Sequence, residues 1–167
     1  MDEKYIFRKI KKEEVSTLFN LILSRMKWMD EKNIDQWNTD HYDKRFPQSY
    51  YEEEQQQGNL YVLVDAISNE ILSGAVLLEE DERWGDDNEP SLYIHNLVSN
   101  VNNPGIGRIF LEYIENYAKS KGKIFLRLDS PVKNPKLGEI YEKQGFVPTG
   151  DFCILERYKG VLRQKII

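Results

Sequence analysis

The sequence predicts an α/β (α+β) fold built on a mixed sheet, and three observations carry that prediction. Apolar residues at Val15, Leu18, Phe19, Ile22, Leu23, Met26 and Met29 step by three and four, the period of a helix with one buried stripe. Two apolar runs, LYVLVD at 60–65 and ILSGAVLL at 71–78, flank the turn residues ISNE and read as an antiparallel hairpin. Later, the strand YIHNLV passes through PGIG into a helical stretch and then into KIFLRLD, the order of a parallel βαβ unit.

Taken in order, residues 5–10 (YIFRKI) form a first strand, and 12–29 the striped helix. Residues 30–47 are irregular and studded with aromatics, and a short helix over 50–57 stops at Gly58, because glycine adopts the left-handed backbone that ends a helix. The hairpin follows. EEDERWGDDNEP at 79–90 reads as a solvated acidic connection before the strand at 91–98. After the glycines, Ile109, Ile114, Tyr117 and Ala118 mark a helix face ending at Lys121-Gly122. The strand 123–129, a helix over 135–144 stopped by Gly145, and a closing strand 152–159 (FCILERYK) complete the order β-α-α-β-β-β-α-β-α-β. The tail VLRQKII is left open as an edge strand, a subunit contact or a frayed end, and with it the choice between monomer and homodimer.

No Pro/Gly/Ser-rich linker interrupts the 167 residues, so one domain over 1–167 is expected. The longest apolar runs are too short to cross a bilayer, and Met1-DEKYIFRK has no apolar leader core. The single cysteine, Cys153, has no internal disulfide partner, which fits a reducing, cytoplasmic setting. A net charge of −5 argues against a protein that coats nucleic acid. His41, His95 and Cys153 are scattered, so no metal site is expected.

The stretch NNPGIGRIF at 102–110 raises the functional question. A helix start leaves backbone N–H groups without carbonyl partners and carries a partial positive charge. Glycines there permit positive φ and let a phosphate approach the main chain. Arg108 adds a side-chain charge in the first turn. A tight connection with no ligand has the same sequence. A dinucleotide-binding unit is disfavoured because Phe110 stands where its third glycine would be.

Further on, NPKLGEIYEKQGF at 134–146 places Asn134, Tyr141, Gly145 and Phe146 at the spacing of the late helix of the GNAT superfamily, the acetyl-CoA-dependent N-acetyltransferases. YIHNLV resembles that family's strand for the pantetheine arm, PGIG the end of its pyrophosphate loop, and LRLD its next strand. The sequence departs from the family at Asn102, where Arg or Gln is usual, which removes one polar side-chain contact and leaves the backbone cradle.

The resemblance implies an N-acetyltransferase moving an acetyl group from acetyl-CoA directly to a primary amine of a small molecule. It implies cofactor contacts from Leu97, Val98, Ser99, Asn103, Gly105, Ile106, Gly107, Arg108, Asn134 and Tyr141. Tyr141 is the expected proton donor to the departing thiolate, since a phenol suits that task; by helical spacing from Leu137 it also reads as a core aromatic. Asn134 also reads as a helix N-cap. His95 and Glu79 are candidate bases, against readings as a hydrogen-bonded strand residue and a solvated carboxylate. On the acceptor side the family's usage points to Trp28, Gln36, Trp37 and Glu80, with aromatic faces and carboxylates suited to an ammonium group; Trp28 also reads as packing.

Overall fold

The computed structural model describes residues 3–167; Met1 and Asp2, which open the stretch read for a leader, lie outside it. Seven strands form one mixed sheet in the order β1-β2-β3-β4-β5-β7-β6. They are β1 (Tyr5–Lys9), β2 (Leu60–Asp65), β3 (Ile71–Leu78), β4 (Ser91–Ser99), β5 (Phe125–Pro131), β6 (Val147–Leu155) and β7 (Tyr158–Ile166). Five α-helices accompany them: α1 (Val15–Glu31), α2 (Tyr42–Arg45), α3 (Gln48–Gln56), α4 (Ile106–Ser120) and α5 (Pro135–Lys143). No described helix is long and apolar enough to cross a membrane. The described residues gather into two units, one of residues 3–77 and 96–113, the other of 78–95 and 114–167.

In the first unit, β1 and β2 pair antiparallel with Phe7 opposite Leu63, and β2 continues antiparallel into β3. The turn between β2 and β3 is set by Asp65, whose Oδ1 accepts the Ile67 and Ser68 N–H groups at 2.9 Å each. All five residues from Leu60 to Val64 are buried, so this strand is covered on both faces. The stripe of α1 is buried at Val15, Leu18, Ile22 and Met29. Leu23 departs from it and is 39% exposed, because it sits about 100° around the helix from Ile22. In α4 the buried residues of this unit are Ile106, Phe110, Leu111 and Tyr113, and Phe7 packs against Phe110 and Tyr113. Ile109, expected on the buried face, is only half-buried; Phe110 takes that place.

In the second unit, β4 and β5 run parallel with Ser91–Phe125, Leu92–Leu126 and Tyr93–Arg127 as recorded pairs, as the βαβ reading expects. The C-terminal half departs from expectation. FCILERYK is not one closing strand: β6 ends at Leu155 and β7 begins at Tyr158, with Glu156 in the left-handed region at φ 47°. VLRQKII belongs to β7, which pairs with β5 on one side and β6 on the other, so it is an interior strand.

The acidic segment is likewise not a free connection. Arg83 donates to Asp129 Oδ1 at 3.0 Å, and Arg127 donates to Asp87 Oδ1 and Oδ2 at 3.1 and 2.6 Å. Arg127 is 3% exposed and lies over the Trp84 ring at 4.7 Å. These reciprocal pairs tie both ends of the segment to the LRLD strand.

Buried Arg163 locks α5 to the sheet. Its Nε donates to Ser130 Oγ at 2.7 Å and its Nη1 to Glu142 Oε1 at 3.1 Å and to the Phe146 carbonyl at 3.4 Å. A Cβ at Gly138 would meet its guanidinium at 2.5 Å, which explains a glycine inside a helix. Arg163→Met keeps bulk but strands the Ser130 hydroxyl and the Phe146 carbonyl. It is expected to cost about 2–3 kcal/mol in urea unfolding followed by circular dichroism. A loss below about 0.5 kcal/mol would show that these bonds do not hold the helix.

Candidate active site

The loop before α4 belongs to the first unit and is organised by Asn100, a residue the sequence reading passed over. Asn100 is buried; its N–H donates to the Leu72 carbonyl at 2.8 Å, its Nδ2 to Glu70 Oε1 at 3.3 Å, and its Oδ1 accepts the Asn102 N–H at 3.0 Å. Its carbonyl accepts the Asn103 N–H, and the Asn103 carbonyl accepts the Ile106 N–H, both at 3.1 Å. These bonds consume the amides of Asn102, Asn103 and Ile106, and Pro104 has none to give. The next N–H groups, of Gly107 and Arg108, stand in the first turn of α4, where helix geometry provides no carbonyl within the helix.

The two glycines have different reasons. Gly105 adopts φ +86°, and a Cβ there would meet nothing within 4 Å. Its cause is backbone conformation, and the space in front of it is open. At Gly107 a Cβ would stand 2.7 Å from Ser99 Oγ, so its cause is the close approach of α4 to the end of β4. Arg108 is exposed and pairs with Glu112 at 2.8 Å one turn later, which offsets the unfavourable placement of a cation at a helix start.

The end of β4 is held by side chains from its own unit. Ser73 Oγ donates to the Val98 carbonyl at 2.6 Å, and Arg25 donates to the Ser99 carbonyl at 2.7 Å. Arg25 also lies 4.6 Å over the Trp28 ring, which gives Trp28 a packing role against α1's own arginine. Leu97 is half-buried and Val98 buried. Trp37 stacks on Tyr42 at 4.2 Å and 6°, and the series continues through Phe46 and Tyr50 to Tyr51. Gln36 is buried, and its backbone closes a turn: its N–H donates to Asn38 Oδ1 and its carbonyl accepts from Thr39 Oγ1.

Tyr141, Asn134, His95, Glu79 and Glu80 belong to the second unit. Asn134 is the N-cap of α5, its Oδ1 accepting the Leu137 N–H at 3.4 Å. Tyr141 is half-buried, with Phe146 edge-on at 6.0 Å. Glu79 and Glu80 are exposed, and Glu79 lies 3.3 Å from Lys123 Nζ.

Both nitrogens of His95 are engaged: Nδ1 lies 3.0 Å from Arg83 Nη1 and Nε2 lies 2.9 Å from Asp81 Oδ2. Arginine only donates, so Nδ1 accepts and the ring proton sits on Nε2, the nitrogen beside Asp81. The chain of contacts continues from Arg83 to Asp129 and on to the Tyr158 hydroxyl, which donates to Asp129. Buried Cys153 sits in the same field; burial and the Asp129 charge push its thiol up to about 11, so it is protonated at neutral pH. No group of three His, Cys, Asp or Glu side chains among the described residues is arranged to hold a metal ion.

Burial alone would raise the Asp81 carboxyl, but its contact with the His95 ring N–H and the N–H and charge of Arg83 outweigh it and hold the carboxyl below its ordinary value. A depressed carboxylate contributes stability above its unfolded pKa of about 3.9 and loses it as pH falls through the folded value. Asp81→Asn keeps an acceptor for Nε2–H but removes the titration. The variant is expected to lose less stability than wild type between about pH 5 and pH 3 in urea melts, and parallel profiles would contradict the assignment.

A family model described as the acetyltransferase (GNAT) family matches residues 26–146. No curated protein matches the sequence. Among solved structures, a GNAT-family acetyltransferase from Streptococcus agalactiae is similar at a TM-score of 0.79 and 19% identity, over 98% of this chain and 95% of that one. One from Listeria monocytogenes is similar at 0.75 and 16%, with the same coverage of 98% and 95%. The paia N-acetyltransferase from Thermoplasma acidophilum, solved in complex with coenzyme A, is similar at 0.70 and 16% over 100% of both chains. Together, the sheet, the glycine loop entering α4 and the match over most of the sequence lead to one assignment: the chain belongs to the GNAT acetyltransferase family.

Proposed function

We propose that the protein is an acetyl-CoA-dependent N-acetyltransferase acting on a primary amine of a small molecule by direct transfer. The observation that carries this reading is the mouth of α4, with first-turn N–H groups at Gly107 and Arg108 and open space in front of left-handed Gly105. That space fits a diphosphate, which would be held there by main-chain donors. Asn102 is exposed and its N–H is already committed to Asn100, so the missing family side chain costs a polar contact without closing the loop. The structure of the coenzyme A complex of the paia enzyme supports an acyl-CoA donor by likeness of fold.

Bound acetyl-CoA supplies an activated thioester. A neutral amine attacks its carbonyl carbon, a C–N bond forms, the C–S bond breaks, and the thiolate takes a proton. Tyr141 is the proposed donor of that proton, on the family's residue pattern and on a ring that is not sealed in the core. Of the two candidate bases, His95 has both nitrogens committed, and exposed Glu79 is the one with lone pairs to offer. A route through an acetylated Cys153 is disfavoured by burial and by a thiol raised to about 11. Trp37, backed by its stacked and buried partner Tyr42, offers a flat aromatic face on the acceptor side, suited to an ammonium group.

The engagement of His95 favours a second reading, a catalytically silent acyl-CoA-binding module. Calorimetric titration with acetyl-CoA, followed by thiol release across a panel of primary amines, separates the two. Binding with amine-dependent release is expected; binding alone supports the silent module, and no binding at millimolar ligand contradicts both. Tyr141→Phe is expected to lower kcat by about 10–100-fold while changing acetyl-CoA affinity less than about threefold. Unchanged kcat would remove Tyr141 from the mechanism.

A further inference from the structure

Asn96 is the one described non-glycine residue that takes a positive φ inside a strand, at 55° in the middle of β4. The other non-glycine cases, Asn33, His41, Asn69, Asn88 and Glu156, all lie outside strands. A left-handed residue in a strand breaks the alternation of the ladder and turns the following residues. Asparagine tolerates that region better than most residues but still pays about 1 kcal/mol relative to extended backbone, so something must hold it there.

The holders are two phenols from the aromatic segment. Tyr50 Oη donates to Asn96 Oδ1 at 2.8 Å, and Asn96 Nδ2 donates to Tyr42 Oη at 2.6 Å. Both ends of the amide are therefore used. Tyr42 is buried between Trp37 at 4.2 Å and Phe46 at 5.0 Å, and Tyr50 between Phe46 at 4.9 Å and Tyr51 at 5.0 Å. Tyr51 is fully buried, and burial pushes its phenol far above the ordinary value, so this end of the stack carries no charge. The stack is thus a packed block that presents two hydroxyls to one side chain of β4. Immediately after that side chain come Leu97 and Val98 and then Ser99, whose carbonyls at Val98 and Ser99 are fixed by Ser73 and Arg25.

We propose that Asn96 is a positioning residue: Tyr42 and Tyr50 hold its amide so that β4 keeps a left-handed turn one residue before Leu97. The same block carries Trp37, so the wall offered to the acceptor and the aim of the strand offered to the donor are mechanically one piece. The consequence for turnover rests on the proposed acetyl transfer; the conformational device itself does not.

Two readouts test it. The first is hydrogen exchange of the ligand-free protein, which needs no activity. In the double variant Tyr42→Phe/Tyr50→Phe, exchange in a peptide spanning residues 94–99 is expected to rise by about fivefold or more, with a peptide from β2 unchanged. The second compares Asn96→Gly, which permits positive φ without a side chain, with Asn96→Ala, which resists it. The glycine variant is expected to keep kcat within about threefold of wild type, and the alanine variant to fall about tenfold or more with a smaller change in KM. A purely stabilising role would move melting temperature and lower both variants alike. Unchanged exchange in the tyrosine double variant, or equal kcat for Asn96→Gly and Asn96→Ala, overturns the proposal. If wild type shows no turnover but exchange rises as stated, the clamp stands and the acetyl-transfer reading alone fails.

Discussion

The close approach of α4 to the end of β4, with no side chain between Gly107 and Ser99, is the constraint on which the first unit's functional surface depends. A helix that starts this near a strand cannot have its first N–H groups covered by a long loop. The loop is therefore short and self-bonded, with Asn100 taking the amides that would otherwise be stranded. What is left at the helix mouth is a pair of donors aligned with the helix dipole and a left-handed glycine facing open space. Donors placed in this way are available to water or to an anion, which is the feature the proposed diphosphate site uses.

The second unit solves a different problem, that of charge taken out of water. Asp129, Arg127 and Arg163 lie on adjacent strands with little exposure, and unpaired they would each carry a penalty of several kcal/mol. Each has a partner: Arg83 and Tyr158 for Asp129, Asp87 for Arg127, Glu142 and Ser130 for Arg163. The acidic segment owes its conformation to these pairs, and His95 owes its tautomer to Arg83. The same field keeps the Cys153 thiol protonated.

Elements whose causes are local were legible in the sequence. The stripe of α1, the turn at ISNE and the N-cap at Asn134 follow from period and side-chain reach within a few residues. The β6–β7 turn was not, because Glu156-Arg157 carries none of the usual turn residues and its positive φ is exceptional for glutamate. Nor was the interior place of β7: nothing local in VLRQKII tells an edge strand from a subunit contact or a frayed end, and it is Ser130 and Glu142 brought to Arg163, and Glu115 to Lys165, that fix it. In the candidate site, the motif singles out the glycines and Tyr141 but not Asn96 and Asn100. Both look like ordinary turn formers, and only the apolar neighbours of Asn96 in YIHNLV hint that an asparagine there has a special task.

The central claim is that the main chain at the start of α4 binds phosphate. The most direct measurement compares the affinity of S-acetylpantetheine with that of its 4′-phosphate by calorimetry at low salt, since the two ligands differ by a single phosphate. The account predicts that the phosphate tightens binding by about tenfold or more, about 1.4 kcal/mol at the least. Equal affinities would mean that the mouth of α4 holds no phosphate.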